Sequence, residues 1–356
     1  MAEPPRILAI LCVRNEGAFL LDWIAHHLAC GVSHVLAYSN ACDDGTDAML
    51  DALARQGRVT HVRNDGPHDS QGIQFTALNH AAGTDAVAGA DWILALDIDE
   101  FVNVHVGDRT LPALLDALPD ADAITLTWRL FGNAGAARFE DVPVPRRFTA
   151  AAPEILHWPW RASMFKTLYR NDGTYRKPGV HRPRRPDPAR VDAARWADGH
   201  GRTLGPAFRR GRIFSDFGRP NFGLAQLNHY PLGDAESFVL KSDRGRAVHD
   251  ADRLGLDYWT ERNFCAVRDD SILALAPRVD AIRAELAAAP DLAALHAAAV
   301  AWRRTRFDAL MDHEEMRALY GRLLMSQPSI PLSREAAAPL LAHALRARRL
   351  HRSDTS

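Results

Sequence analysis

The stretch Trp92-Ile93-Leu94-Ala95-Leu96-Asp97-Ile98-Asp99-Glu100-Phe101 runs five apolar residues straight into three carboxylates. A short unbroken apolar run of this kind reads as a buried strand of a mainly parallel sheet. Its carboxyl end, where open α/β sheets bind ligands, carries the acids. Alternation along an extended chain puts Asp97 and Asp99 on one side, so two hard oxygen donors can approach one divalent cation. Mg²⁺ or Mn²⁺ held there would keep positions open for diphosphate oxygens and neutralise the charge on a departing nucleoside diphosphate. A turn that merely caps itself and faces water would carry the same letters, and the strand context and the company the motif keeps argue against it.

Working outward, the first hundred residues repeat the strand-then-helix pattern of a layered α/β domain. Residues 7–13 and 32–38 read as strands, with a short third strand at 58–62. Between the first two, Phe19, Leu20, Trp23, Ile24 and Leu28 recur at helical spacing until Gly31 stops the helix. A second helix starts at Thr46, with Thr46 or Asp44 as its cap, and a third covers residues 72–82. Past residue 108 the regularity weakens, with strands expected at 123–128, 164–169 and 224–230 among long loops of the kind that bind ligands. From about Ser271 onward Ala and Leu recur at helical spacing, broken by Pro277, Pro290 and Pro331. The expected organisation is two halves of one α/β region (1–105 and 106–250) and a helical C-terminal region (251–356).

Composition narrows the function classes. The 43 Lys and Arg against 44 Asp and Glu leave a net charge of -1, so no global field draws the 356-residue chain onto nucleic acid or an anionic membrane. Cys12, Cys30, Cys42 and Cys265 show no C-x-x-C spacing and read as reduced thiols of a cytoplasmic protein. The apolar run at 7–13 lacks a basic leader and a cleavage site, so no signal peptide is expected. No uninterrupted apolar window reaches the length of a membrane span.

Two further clusters fall at strand ends. Arg14, Asn15 and Glu16 follow the first strand just before a helix, a place that favours phosphate or polar ligands, although a plain cap by Asn15 explains them too. Asn40, Asp43 and Asp44 follow the second, suited either to a nucleobase or ribose or to an Asx turn.

The blocks Cys12-Val-Arg-Asn-Glu-Gly-Ala-Phe-Leu-Leu-Asp-Trp-Ile-Ala-His-His, Gly31-Val-Ser-His-Val with Asn40, and Leu96-Asp-Ile-Asp-Glu-Phe-Val resemble the family 2-like glycosyltransferases of the GT-A fold in order and spacing. The resemblance is firm over residues 7–105. It continues loosely through Trp128-Arg-Leu-Phe-Gly132-Asn-Ala-Gly135, Phe165-Lys-Thr-Leu-Tyr, Val180-His181 and Asn228-His229-Tyr230. It implies an inverting, metal-dependent transferase with a nucleotide-sugar donor, UDP favoured, bound by the 1–105 half, and a saccharide or lipid-linked acceptor bound by the 106–250 half. Arg14, Asn15 and Glu16 would line the nucleoside, Asn40 with Asp43 or Asp44 the base or ribose, and Asp97 and Asp99 the ribose and the Mn²⁺ or Mg²⁺. His229 would join them on the metal, though a lone histidine is as readily structural. Gln74 and Asn79 would reach the donor sugar or ribose unless they simply form a polar helix face. Lys241, Arg244 and Arg246 would cover the diphosphate unless they form a solvated basic face.

The turn holding Trp128, Phe131, Gly132 and Gly135 suits a stacked sugar ring and close backbone approach, which places the acceptor there together with His181. Trp158 and Trp160 would serve either that role or a satellite hydrophobic cluster. Glu140, Asp216 and Glu236 are the candidate catalytic bases, unranked, because neither reach nor pKa is legible in sequence.

Other readings compete. Metal-dependent phosphohydrolases also use D-x-D, but on an early strand and before Gly-Thr or Gly-Val, whereas Glu-Phe-Val follows here. A non-catalytic carbohydrate- or nucleotide-binding module is the second alternative. His313-Glu-Glu lacks the second histidine of a zinc-protease helix. The run Arg182-Pro-Arg-Arg-Pro, with Arg190 and Arg195, lacks the interleaved aromatics of a nucleic-acid site and suits an anionic acceptor or a solvated loop. Residues 340–350 set Leu340, Leu341, Leu345 and Leu350 among Arg346, Arg348 and Arg349. That helix would either touch an anionic membrane surface or pack on the body.

Overall fold

The apolar run Ile7–Val13 becomes strand β1, buried along nearly its whole length, because a strand covered on both faces has no wet side to alternate with. The computed structural model describes residues 3–68, 72–216, 218–244 and 254–353, with side chains for all of these but 290 and 347–353. After β1 come β2 (His34–Ser39), β3 (Val59–Arg63), β4 (Trp92–Leu96), β5 (Glu100–Val104), β6 (Ala123–Leu130), β7 (Phe165–Arg170), β8 (Trp196–Asp198) and β9 (Ala225–His229). They form one nine-stranded sheet in the order β3-β2-β1-β4-β7-β6-β9-β5, with β8 joined to the first residues of β6. Strands β1 to β4, β6, β8 and β9 run parallel, and β7 and β5 run against them. The expected α/β class with a mainly parallel mixed sheet and a helical C-terminal region is what the chain adopts.

Helices α1 (Gly17–Ala29), α2 (Thr46–Arg55) and α3 (Ile73–Ala81) follow the first three strands. Asp44 ties two of them together. Its Oδ2 accepts the Gly17 N–H at 2.7 Å, and its Oδ1 accepts the Thr46 N–H at 2.9 Å and hydroxyl at 2.6 Å. The cap position itself falls to Gly45, whose φ of 88° is a left-handed conformation that glycine adopts without penalty.

Strand β5 is missing from the sequence reading. Its first residue, Glu100, belongs to the acidic cluster, so a fully buried five-residue strand looks like the tail of a loop. It lies at the edge of the sheet and pairs antiparallel with β9. The two expected halves of the α/β region therefore share one continuous sheet.

Beyond α4 (Leu111–Ala117) and α5 (Ala235–Asp243), the C-terminal region supplies α6 (Ala276–Ala287), α7 (Pro290–Leu310), α8 (Glu314–Met325) and α9 (Arg334–Ser353). Leu286, Leu292 and Ala299 of α6 and α7 belong to the main core, and Arg283 pairs with the buried Asp22 of α1. Met316 and Leu323 of α8 join a second core with Phe238 and Val239 of α5. His313 is exposed at the start of α8.

Among the described residues no single helix is long and apolar enough to cross a membrane. Helix α9 leaves Leu340 and Leu345 exposed, while the side chains of Arg348, Arg349 and Leu350 lie outside the described residues. None of the four cysteines is paired with another. In the basic run, Arg182 is buried, donates to the Arg209 and Arg210 carbonyls and lies over the Trp196 ring at 5.7 Å, so that arginine is a structural cross-link.

Candidate functional site

Between β1 and β4 the strand order reverses direction, and the carboxyl ends of these strands diverge into a crevice. Ligand pockets favour such switch points, and a cavity of ≈ 470 Å³ opens here. Arg14 from the end of β1, Asn40 from the end of β2 and Asp97 and Asp99 from the end of β4 line it, with Gln74 of α3. The acidic turn is anchored from behind. The indole N–H of the fully buried Trp23 donates to the carbonyls of Asp97 at 3.1 Å and Glu100 at 2.9 Å.

The Asp97 side is a closed network. Lys166 Nζ of β7 donates to Asp97 Oδ2 at 2.8 Å and lies 3.4 Å from Glu100 Oε2, while Gln74 Nε2 donates to Asp97 Oδ1 at 3.0 Å. Glu100 is fully buried, and its oxygens accept the Trp128 indole N–H at 2.6 Å and the Asp97 N–H at 2.8 Å. Burial pushes the Glu100 carboxyl up to about 8 against the pull of the Lys166 ammonium. Burial opposes the charge on Lys166, but Asp97 and Glu100 more than offset it and hold the ammonium above its ordinary value. Burial likewise raises Asp97, and Lys166 outweighs it, leaving that carboxylate below its usual range.

Around Asp99 the cationic partner is less buried than Lys166, although the Asp99 side chain itself, at 21%, is more covered than that of Asp97 at 36%. Lys241 Nζ of α5 donates to Asp99 Oδ2 at 2.6 Å and to the Pro231 carbonyl at 2.8 Å. Against burial, Lys241 and His229 hold Asp99 well below the ordinary carboxylate range. His229 Nε2 stands 3.7 Å from Asp99 Oδ1, too far for a hydrogen bond, and its Nδ1 is buried without a partner. Burial lowers the His229 pKa, so the ring is a neutral imidazole near pH 7. A carboxylate oxygen and an imidazole nitrogen facing one another this way fit a divalent cation that takes its other ligands from a diphosphate. Among the described residues no group of three or more His, Cys, Asp or Glu is arranged to hold a metal, and both oxygens of Asp97 are already hydrogen-bonded.

At the rim, Arg244 donates to the Arg14 carbonyl at 2.8 Å and pairs with Glu16, while Arg14 donates to the Arg244 carbonyl at 3.3 Å. Arg262 stacks on Tyr258 with 3.7 Å to the ring centre. Arg246 lies outside the described residues.

The other expected residues divide clearly. Trp128 and His181 line the cavity, and the Trp128 ring packs 4.3 Å from that of His229. Phe131 does not: it is buried against Tyr230 at 4.6 Å. A Cβ at Gly132 would sit 2.5 Å from Cys265 Sγ, so this glycine permits a chain crossing rather than a sugar contact. Asn79 is exposed and bonded to Lys177. Asp44 is consumed by the helix starts described above. Asn15 accepts the Asp43 N–H at 2.7 Å, and both open on a second, adjoining cavity. None of the three candidate bases lines the Asp97 cavity. Glu140 pairs with Arg147 and opens on the second cavity, Asp216 is held between Arg212 and Arg219, and Glu236 accepts the Phe139 N–H at 2.8 Å.

Lys166, buried behind Asp97, is the chief residue that sequence reasoning left without a role, along with Tyr258 and Arg262, which line the cavity. Its signal was present: a lysine in the middle of the apolar run Phe165-Lys-Thr-Leu-Tyr has to meet a carboxylate if that strand is buried.

The comparisons with known proteins bear on the same stretch. The matching family model is glycosyltransferase family 92. It covers residues 10–171, somewhat under half of the chain. A glycosyltransferase family 92 protein of Oryza sativa subsp. japonica is 27% identical over 149 residues, 40% of this chain and 24% of that protein. A family 92 protein of Ricinus communis is 27% identical over 107 residues, 30% of this chain and 18% of the relative. The matched stretch thus spans no more than about a quarter of these relatives. Among solved structures, S. aureus TarS 1–349 overlaps 84% of this chain and 92% of its own, with 13% identity and a TM-score of 0.32. The chain is therefore similar to glycosyltransferases, and the matching family is 92 where the motifs resemble family 2. The opening Cys12 block and the D-x-D block both lie inside the matched stretch, so those motifs alone do not separate the two families.

Proposed function

We propose that the protein is a glycosyltransferase that moves a sugar from a nucleotide-diphosphate donor, UDP-sugar favoured, to a saccharide or lipid-linked acceptor. The observation that carries this reading is the Asp97–Asp99 pair at the mouth of the β1–β4 crevice, backed by two lysines, in a stretch similar to glycosyltransferase family 92. Asn40 and Gln74 offer hydrogen bonds to the nucleoside and donor sugar, and the Trp128 face offers a stacking surface for a sugar ring. Lys241, Arg244 and Arg262 converge on the same space and would hold the diphosphate as its charge grows. A cation, Mn²⁺ or Mg²⁺, held by Asp99 and His229 would neutralise part of that charge.

Inversion at the sugar needs a base that takes the acceptor hydroxyl's proton. Glu140 is the candidate retained, because the cavity it opens on also reaches Asp99.

Calorimetric titration with UDP, GDP, CMP and dTDP, each with and without Mn²⁺, tests the donor site. One nucleotide is expected to bind with metal, and Asp99→Ala is expected to abolish the metal-dependent part. Failure of every nucleotide under both conditions would sink the reading.

A further inference from the structure

Arg303 of α7 is a buried cation that the donor site does not use. It is 6% exposed, and its guanidinium lies 4.6 Å from the ring centre of Phe19 and 4.9 Å from that of Phe139. Its Nε is buried without a hydrogen-bond partner, and among the described residues no carboxylate comes within 4.0 Å of it. Aromatic faces compensate a desolvated guanidinium only in part. The side chain lines the second cavity, of ≈ 400 Å³, between the α/β body and the C-terminal helices.

The nearby acids are already taken. Asp234 pairs with Arg147 at 3.1 Å, Asp243 with Arg306 at 2.6 Å, Glu16 with Arg244 and Asp99 with Lys241. Glu140, two-thirds exposed, pairs with Arg147, and Asp43 reaches the cavity as an exposed residue. The guanidinium fork matches carboxylate and phosphate oxygens, and the aromatic walls suit the body of a ligand that carries such a group.

We propose that this second cavity binds an anionic group, a carboxylate or a phosphate, on the guanidinium of Arg303, and that the group belongs to the acceptor. The anion site stands on its own geometry, whereas its assignment to the acceptor rests on the glycosyltransferase reading. The link between them is the shared wall: Arg14, Glu16, Ile98, Asp99, Lys241 and Arg244 line both cavities. A ligand anchored on Arg303 therefore lies beside the residues assigned to the donor without occupying the nucleoside end at Asn40 and Gln74.

The test is calorimetry with inorganic phosphate and, separately, glucuronate on the full chain, on Arg303→Met and on Arg303→Lys. At least one anion is expected to bind the natural protein and to lose about tenfold or more in Arg303→Met, with Arg303→Lys between them. Preference for phosphate points to a phosphorylated acceptor, and preference for glucuronate to an acidic saccharide. Equal binding in all three proteins, or no binding of either anion to the natural protein, overturns the proposal. Should Arg303→Met fail to fold, Arg303→Lys decides, since it keeps the charge and loses the fork. The nucleotide panel run on the same proteins separates the two readings. Arg303→Met should keep the nucleotide affinity of the natural chain. Anion binding without any nucleotide binding would leave the anion site standing and remove its assignment to an acceptor.

Discussion

The two aspartates of one motif live in different surroundings. Asp97 belongs to a network in which Lys166 is 1% and Glu100 0% exposed, fed from strands on either side. Asp99 meets a lysine that is 20% exposed and a histidine that does not reach hydrogen-bond distance. The contrast lies in the partners rather than in exposure, since Asp97 is 36% and Asp99 21% exposed: both oxygens of Asp97 are hydrogen-bonded into a frame, while Asp99 Oδ1 faces an imidazole 3.7 Å away. A ligand-binding motif needs both: a member that fixes position and a member with capacity left for what binds.

This contrast can be broken most directly at the lysines. Lys166→Met leaves Asp97 and the buried Glu100 without their cation and is expected to cost about 3–5 kcal/mol of stability by urea denaturation. Lys241→Met removes an ammonium that is 20% exposed, against 1% for Lys166, and is expected to cost less, about 1–3 kcal/mol. Equal losses would mean that the two halves are built alike.

Acid probes the same frame from behind. The His26 Nε2–H donates to the Val102 carbonyl of β5 at 2.7 Å, and burial pushes the ring's pKa down to about 4. As pH falls through about 6.5 the unfolded chain takes up this proton while the folded chain resists until about 4. Stability is therefore fully present above that window and falls across it, by up to about 3 kcal/mol for this residue. His26→Gln should flatten the acid limb of a stability profile, and an unchanged limb would remove His26 from the frame.

The smallest expected effect sharpens the picture at Glu100. Trp128→Phe keeps the ring and deletes one donor to a buried carboxyl oxygen, for a loss of about 1–2 kcal/mol in thermal or chemical unfolding. No loss would show that Glu100 is satisfied without the indole.

Sequence pattern served the first four strands well, because β1 and β4 are apolar runs flanked by polar turns and match residue for residue, and β2 and the half-exposed β3 are bounded by turn residues. It placed Asp97, Asp99 and Asn40 at one edge for the same reason, since parallel strands with short polar connections present their ends together, whereas Gln74, on helix α3, was reached through the family resemblance alone. It failed where meaning depended on what lies across a gap. Glu100 read as the third carboxylate of the acidic strand end, with no role of its own, and is the buried start of β5. Phe131 and Gly132 read as an acceptor platform and instead pack against Tyr230 and Cys265. Lys166 and Arg303 become informative only when burial and missing or present partners are known, and neither is a local property of the chain.

The link from β4 to β5 is only three residues long, Asp97, Ile98 and Asp99. In the sheet order, three strands stand between β4 and β5. In a flat sheet that is four strand spacings, ~19 Å. Four steps of extended chain cover at most ~14 Å. The sheet must therefore curl until its edge strand approaches its centre, and the D-x-D turn is the tether that sets how far. The same closure carries His229, on the strand beside β5, to within 3.7 Å of Asp99. Lengthening that turn by even one residue would relax the curl and part the two groups, so the spacing of the motif is a constraint on the shape of the whole sheet as well as on its chemistry.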